Sequence, residues 1–565
     1  MNSSALTRCE VLVIGTGAGG LAAAVTARLC GLDVLLVEKD ELVGGTTARS
    51  GGGLWIPDNP LAEREGLRDS GENASAYLQQ VTNGTGNAPA IAAYLEHGPR
   101  MIEFFEAQTS ISFLLQRDMP DYHLDIPGSA LRGRTVYAAP FDARQLGEWR
   151  TLLKPPLREL TLLGIAIQRT DIRHFFSATR SLRSLRYVVS RLAERLYDKC
   201  LHGRSVRLVN GNALAARLLK SALDLGIPIW RSSEACRLWM DDGVVRGADI
   251  RRGGRETRVE ATRGTILACG GFSHDEEMKR SLYGHVRSGS RHFSAADTSA
   301  SGDGLRLARI AGASMGQPAN PAYWTPVSLF PRQDGTTSPF PHSSNGGDRG
   351  KPGFISVSPQ GRRFVNEAVT YHDFVQEMVR ETRGGSVHAY LLCDHRAIRR
   401  YGMGAARPFP LPLGRHLRSG YIVASRTVAE LARRLGIDPA VLEATVVRFN
   451  ENARAGHDPD FGRGRNTYHW FQGDLAHKPN PSLAPLERAP FYALKLHPGD
   501  VTTLAGLATD AHARVLSGQH VVPRLYAVGS DMSSIFGGHT PGAGMTLGPA
   551  VVFGYIAGKH IAGQP

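Results

Sequence analysis

The chain opens with short, wholly apolar runs separated by glycine-rich breaks. Val11-Leu-Val-Ile14 predicts a buried strand. It is followed at once by Gly15-Thr-Gly-Ala-Gly-Gly20 and then by Leu21-Ala-Ala-Ala-Val-Thr-Ala-Arg-Leu29, a helix-forming stretch. Asp33-Val-Leu-Leu-Val37 reads as a second strand that ends at Glu38. Further along, Gly243-Val-Val-Arg-Gly247 reads as the turn of a hairpin leading to the strand Thr265-Ile-Leu-Ala-Cys269. Leu525-Tyr-Ala-Val-Gly529 is another buried strand, residues 537–544 form a glycine-rich turn, and Thr546 to Ile561 has helical length with few charges. Between Trp149 and Leu201 lies an arginine-studded helical stretch whose apolar positions recur at helical spacing, which predicts a helix with one buried face. A basic amphipathic helix of that kind also fits a membrane surface.

Strand, glycine turn, helix and a second strand ending in an acid have the spacing of a dinucleotide-binding βαβ unit. Gly15 makes the tight turn, Gly17 lets backbone approach a pyrophosphate, and Gly20 lets helix and strand pack closely. The helix start at Ala18 offers unpaired N–H groups and the positive end of its dipole. Glu38 is placed to accept from ribose hydroxyls and would repel a 2′-phosphate, so FAD or NAD is favoured over NADP. The next segment, Gly44-Gly-Thr-Thr-Ala-Arg-Ser-Gly-Gly-Gly53, separates the first two. A nicotinamide unit has no need of a second glycine loop. Extended FAD does, for close backbone contact along its ribityl chain and isoalloxazine, and Gly45, Thr46, Thr47, Ser50, Gly51 and Gly52 are the contacts expected there.

Composition narrows the classes that remain. With 565 residues, 42% hydrophobic and 21% charged, the chain can build two or more packed domains. The net charge of +14 is dispersed, with no Lys/Arg run of five and no nucleic-acid-binding signature, so no nucleic-acid partner is expected. Six scattered cysteines, none in a C-x-x-C pair, predict neither a disulfide framework nor a metal site, and fit a reducing compartment. No secretory signal and no apolar run of spanning length is visible. A cytoplasmic protein is expected, with any membrane association peripheral.

Val11 to Pro57, with the loop GGTTARSGGGLWIP, resembles the FAD domain of 3-ketosteroid Δ1-dehydrogenases, within the fumarate reductase and succinate dehydrogenase flavoprotein superfamily. The likeness recurs at Gly264–Phe272, Ser301–Gly304, Gly361–Glu367, Phe491–Asp500 and Leu525–Ala562, and so covers nearly the whole chain. It implies an α/β fold, a Rossmann-like FAD-binding domain with an inserted α+β catalytic domain that caps the flavin. Residues 1 to about 285, with a helical excursion at about 149–201, and about 488 to 565 would form the first; 286 to 487 would form the cap. Ala268, Gly270, Gly529, Gly544, Thr546 and Leu547 join the expected FAD contacts, the last three at a helix end whose dipole favours negative charge on reduced flavin. Thr46 stands where succinate dehydrogenases carry their linking histidine, so non-covalent FAD is implied.

The activity implied is introduction of a C=C bond next to the ketone of a hydrophobic cyclic substrate, a proton going to a base and a hydride to flavin N5. That needs a donor to the ketone oxygen, a base for the α proton and a flat apolar slot. The backbone donor maps onto Gly544 of Thr540-Pro-Gly-Ala-Gly544. The family's tyrosine before this turn is absent, and Thr540 or His539 stands in its place. Tyr323 falls where the family places its base, Tyr122 where it draws a supporting tyrosine, and Tyr371 is a third pocket candidate. The substrate is a 3-ketosteroid or a smaller cyclohexanone-type ring, and a quinone is a candidate acceptor. Two alternatives stand beside this reading: an ene-reductase of fumarate reductase type, and a non-catalytic flavoprotein electron carrier. Val369-Thr-Tyr-His-Asp373 and Met545-Thr546 lack the arginines that a dicarboxylate clamp would require.

Overall fold

The computed structural model describes residues 6–563 apart from 158–160, 163–164, 169–170, 172–173, 176–177, 179–180, 333, 344–346 and 383–384. Its first sheet is built around Leu6–Ile14, which pairs in parallel with Val34–Val37 (Val11 opposite Val34) and with Arg255–Leu267 (Val11 opposite Gly264). Val11 to Val13 and Leu36 to Val37 have no exposed surface, as expected of strands covered on both faces. Ile229–Trp230 extends one edge and His520–Ala527 pairs in parallel with Arg255–Leu267. An antiparallel ribbon, Ser233–Asp241 and Val244–Arg252, completes the far side. Its turn is Asp242-Gly243, with φ of 47° and 75°, so residues 244–247, expected in the turn, lie in the strand instead. Two consecutive positive φ values match the twist of a two-residue hairpin, which Asp-Gly supplies without a longer loop.

The second sheet runs Thr337–Pro341, Ala322–Pro331, Phe491–Thr503, Ala389–Cys393 and Phe354–Val357, with two short strands also paired to Phe491–Thr503. That central strand lies beyond the boundary expected at 487 and ends at Thr503. A strand buried between partners on both sides is continuous with neither neighbour in sequence, so local pattern gives no sign of which sheet receives it. One buried apolar cluster passes through both sheets, and a smaller one lies under the helices Val428–Leu435 and Pro439–Ala455.

Two helices hold the nucleotide side together. Ala18–Leu29 and Leu547–Ala562 cross where glycines let backbone meet backbone: a Cβ on Gly554 would lie 2.5 Å from the Gly19 carbonyl oxygen, and one on Gly558 would lie 2.8 Å from Thr26 Cβ.

The arginine-studded stretch departs from its expectation. Among the described residues only Leu182–His202 is a long helix there; Thr161–Leu162 and Ile165–Ala166 form a short hairpin, and part of the remainder lies outside the described residues. The helix buries Ser184 and Asp198, while Leu182, Leu185, Val189 and Leu196 are 45–81% exposed. Polar contacts explain the inversion: Ser184 Oγ lies 3.2 Å from His174 Nδ1, and Asp198 Oδ2 accepts from the Val206 N–H at 2.9 Å. No helix among the described residues is long and apolar enough to cross a membrane.

Gly554→Ala tests the helix crossing by its sign. Replacing a mid-helix glycine with alanine ordinarily gains up to about 1 kcal/mol of helix propensity. Here overpacking dominates, and the urea midpoint is expected to fall by the equivalent of about 1–3 kcal/mol.

Candidate active site

The strand ends and helix starts of the first sheet open onto one large cavity. Every residue expected to contact FAD lines it except Gly20. Gly20 serves packing instead, since a Cβ there would lie 2.0 Å from the Gly15 carbonyl oxygen. Five of the lining glycines are of a different kind. At Gly17, Gly45, Gly270 and Gly529 a Cβ would meet nothing nearer than 3.8 Å, and at Gly51 nothing within 4 Å. A positive φ accounts for glycine at Gly45, Gly270 and Gly529, but at Gly17 and Gly51 neither backbone conformation nor protein packing does, and the space beside them belongs to the cavity. A flat, extended ligand pressed against backbone accounts for them.

The polar groups suit the same ligand. Gly17 caps the helix Ala18–Leu29 without a side-chain acceptor, and the Ala18 N–H donates to Thr47 Oγ1 at 3.0 Å, which ties the two glycine loops together. Glu38 is buried, with Oε2 accepting from the Thr16 N–H at 3.1 Å and Oε1 from the Asp40 N–H at 3.0 Å. Burial pushes its carboxyl up against those bonds. The carboxylate is thereby fixed at the cavity edge. On the far side Asp531 accepts from the Cys269 N–H at 2.5 Å and the Gly271 N–H at 3.0 Å, clamping the ends of two parallel strands, and burial pushes it up to about 6. The helix Leu547–Ala562 starts at the cavity, so a second positive dipole end faces it. These residues fit FAD.

Three tyrosines close the other wall, each from a different element. Tyr122 comes from a loop, Tyr323 from the strand Ala322–Pro331, and Tyr371 from the first position of the helix Tyr371–Glu381. The hydroxyls of Tyr323 and Tyr122 are 3.4 Å apart, and the rings of Tyr323 and Tyr371 are 4.9 Å apart. All three are buried. Burial pushes Tyr122 and Tyr323 far above the usual tyrosine range. Tyr371 rises only to about 12, because the hydroxyls of Tyr323 and Tyr122 and the charge of Arg349 counter its burial. The start of its helix adds to the same effect.

Tyr122 is held in place by a buried network that sequence inspection does not single out. Trp55 Nε1 donates to Asp121 at 2.8 Å, Arg134 donates to Asp121 and to Asp69 at 2.7 Å each, and burial pushes Asp121 up to about 6. The Tyr122 N–H and the Tyr77 hydroxyl both donate to the Pro541 carbonyl, at 3.0 and 2.7 Å, which docks the loop on the glycine turn.

That docking corrects one expectation. His539 Nε2 lies 3.3 Å from Thr85 Oγ1, away from the cavity, and the Thr540 carbonyl accepts from His123 Nε2 at 3.1 Å. Neither residue lines the cavity, whereas Ala543 and Gly544 do. With Pro541 pinned from two sides, the turn presents backbone to the cavity in place of the two side chains before it. Tyr137, Ser343 and Arg49 line the cavity without having been singled out; Arg49 lies within the second glycine loop, and no local motif marks the other two.

Comparison with known proteins agrees with this geometry. The family described as FAD binding domain matches residues 10–547. The chain is 40% identical to the 4-oxocyclohex-2-ene-1-carboxylate 5-dehydrogenase of Sinomonas cyclohexanicum, covering 98% of this chain and 94% of that one. It is 34% identical to a 3-oxosteroid 1-dehydrogenase of Mycobacterium tuberculosis, covering 98% of each. Among solved structures, the 3-ketosteroid Δ1-dehydrogenase of Sterolibacterium denitrificans in complex with 1,4-androstadiene-3,17-dione superposes with a TM-score of 0.90, at 32% identity over 98% of this chain and 99% of that one.

Gly17→Val separates the two kinds of glycine. Its φ of −69° and the open space at its Cβ suit a side chain. The FAD-free protein should unfold within about 0.5 kcal/mol of wild type, while flavin retained through gel filtration falls. Equal flavin content in the variant would mean that the turn does not meet the cofactor.

Proposed function

We propose, from the premise that this chain belongs to the FAD-binding-domain family, in the fumarate reductase and succinate dehydrogenase superfamily, and is an FAD-dependent oxidoreductase of CH–CH groups, that it desaturates a six-membered cyclic ketone between the carbons α and β to the carbonyl. One observation carries this reading: three buried phenols share a cavity with the FAD-binding glycine loops. The relatives named above support the ring, since one acts on a 4-oxocyclohexene and the other on a 3-oxosteroid by name.

When bound, FAD supplies a hydride acceptor held against the glycine loops. The chain supplies the rest. The Gly544 N–H, at the turn before the helix Leu547–Ala562, is the proposed donor to the ketone oxygen, and the helix dipole adds to the acidification of the α carbon. The α proton passes to the phenol cluster. Tyr323 is the expected base, but the order of acidities favours negative charge on the Tyr371 oxygen, with Tyr323 and Tyr122 donating toward it. The phenols and the apolar wall exclude water, so the proton stays on the cluster until product leaves. Non-covalent FAD fits a lining that contains no histidine among the described residues. A dicarboxylate clamp finds no support: Arg49, the sole arginine among the described lining residues, is paired with Asp297 at 3.2 Å.

The exposed apolar face of Leu182–His202, which carries five Arg and Lys residues against Glu194 and Asp198, is the proposed contact with an anionic lipid surface. Leu185→Glu with Val189→Glu should abolish co-sedimentation with phosphatidylserine vesicles and leave turnover of a soluble ketone unchanged; co-sedimentation unaffected by both changes would remove the helix from that role.

Tyr371→Phe and Tyr323→Phe should each retain FAD and lower kcat by about 10²- to 10⁴-fold, the range of a lost acid–base group. A Tyr371→Phe enzyme at wild-type rate would take the charge off that oxygen. Because the reactive form is the phenolate and burial pushes Tyr371 up to about 12, the wild-type rate should climb as pH rises into the alkaline range, and a flat alkaline profile would contradict a tyrosine base.

A further inference from the structure

The sheet that carries Tyr323 is irregular beside the phenols. In the pairing of Ala322–Pro331 with Phe491–Thr503, Tyr323 stands opposite Thr502 and Trp324 opposite Asp500, so Val501 is an extra residue on the central strand. Successive residues of a regular strand point to opposite faces, yet Val501 and Thr502 both line the cavity. A bulge of this kind re-aims side chains and disrupts the ladder locally. The setting of Tyr323 against the helix Tyr371–Glu381 therefore depends on contacts from outside the ladder.

Trp324 receives those contacts. Its indole lies edge-on to the Tyr283 ring at 4.8 Å, with the His292 ring at 5.6 Å. Both neighbours are fixed by Asp500, which has no exposed surface, accepts from the Tyr283 hydroxyl at 3.2 Å and lies 2.9 Å from His292 Nε2. The Trp324 backbone faces elsewhere. The Asp500 carbonyl accepts from the Ala295 N–H at 2.8 Å, on the side of the strand Phe293–Ser294, so Asp500 and Trp324 are a non-hydrogen-bonded pair and the Trp324 N–H turns to the other edge. Among the described residues, the strand Thr337–Pro341 pairs along that edge only from Val327 onward. The acceptor that meets the Trp324 N–H is His372 Nδ1, at 3.2 Å.

His372 directly follows Tyr371, so this one hydrogen bond joins the residue next to one phenol to the residue next to another. The imidazole is 1% exposed and its ring centroid lies 5.7 Å from that of Tyr323. Burial lowers it to about 4, so the ring is neutral and, with Nδ1 accepting, carries its proton on Nε2, toward the Gly538 backbone. Asp373, His123 and His539 are the titratable groups that face it among the described residues. Neither His372 nor Trp324 lines the cavity. We propose that His372 is a positioning residue: by accepting the Trp324 N–H it locks the bulge and fixes Tyr323 against Tyr371, with the rings 4.9 Å apart and the Tyr122 hydroxyl 3.4 Å from that of Tyr323. This rests on the ring-ketone reading, in which the phenols take the α proton. A misplacement of about 1 Å at an acid–base site costs about 10²-fold in rate, so a buried acceptor behind the wall controls turnover without touching substrate.

The test uses holoenzyme with 4-oxocyclohexane-1-carboxylate and with 4-androstene-3,17-dione. It compares H372N, whose Oδ1 stands where Nδ1 does, with H372F, which fills the space without an acceptor. On whichever ketone is turned over, H372F should lower kcat by about 10- to 100-fold with KM and FAD content little changed, while H372N stays within about threefold of wild type. The alkaline limb is a second readout, one that a merely structural loss would not move. Tyr371 is faced by Tyr323, Tyr122, Tyr137 and Arg349, and the Tyr323 hydroxyl favours its phenolate. Losing that donor in H372F should move the alkaline rise in rate to higher pH, and H372N should leave it in place. Equal losses in H372N and H372F, or a wild-type rate and pH profile in H372F, would overturn the positioning role and leave the dehydrogenase reading standing. Wild-type holoenzyme inert towards both ketones would overturn both. Should H372F lose FAD, H372Q decides instead, because its amide reaches past Nδ1 to the place of Nε2: it should show the loss expected of H372F, and H372Q as active as H372N would refute the proposal.

Discussion

The glycine-mediated crossing of Ala18–Leu29 and Leu547–Ala562 is the contact on which the site depends. The helices belong to opposite ends of the chain, and their backbones approach within van der Waals range because Gly19, Gly554 and Gly558 carry no side chain. Close approach aims both helix starts into a single cavity. One faces the glycine turn that follows Leu6–Ile14 and the other faces Ala543 and Gly544, beside the phenols. Two positive dipole ends in one enclosure suit a ligand that carries a pyrophosphate at one end and gains negative charge on reduction at the other. A larger residue at the crossing would splay the helices and separate the two halves of the site.

The phenol wall has its own foundation. Glu367 has no exposed surface and accepts from Arg363 at 2.8 Å, from Arg463 at 2.9 Å and from the Ser356 N–H at 2.9 Å. Arg349 Nη1 in turn donates to the Glu367 carbonyl at 3.0 Å. Such buried ions contribute little net stability, because desolvation offsets their attraction, but they tolerate few alternative arrangements. The turn from Glu367 to Tyr371 is consequently held to one geometry, and the phenol ring at its end is placed 4.9 Å from that of Tyr323. The Arg134 network does the same for Tyr122 from the opposite side.

Much of this was legible in the chain itself, and the boundary between what was and was not follows physical lines. The strand, turn and helix of residues 11–29 depend on local periodicity and on glycine sterics, both of which act over a few residues. The cavity-lining glycines belong to the same class. What escaped depends on partners distant in sequence. Phe491–Thr503 joins the second sheet because strands from four other segments surround it. Leu182–His202 has the apolar periodicity of a buried helix, but Ser184 and Asp198 find polar partners that turn its leucines outward. His539 and Thr540 stand at the position of the missing tyrosine, yet hydrogen bonds to Pro541 from Tyr77 and Tyr122 decide which atoms of that turn face the cavity.

The most direct measurement is anaerobic titration of the FAD-loaded protein with six-membered cyclic ketones, with and without a carboxylate, while the visible flavin absorbance and the ultraviolet absorbance of a conjugated enone are followed together. The account predicts loss of flavin colour matched one to one by new enone. Flavin that stays bound and fully coloured with every such ketone would contradict it.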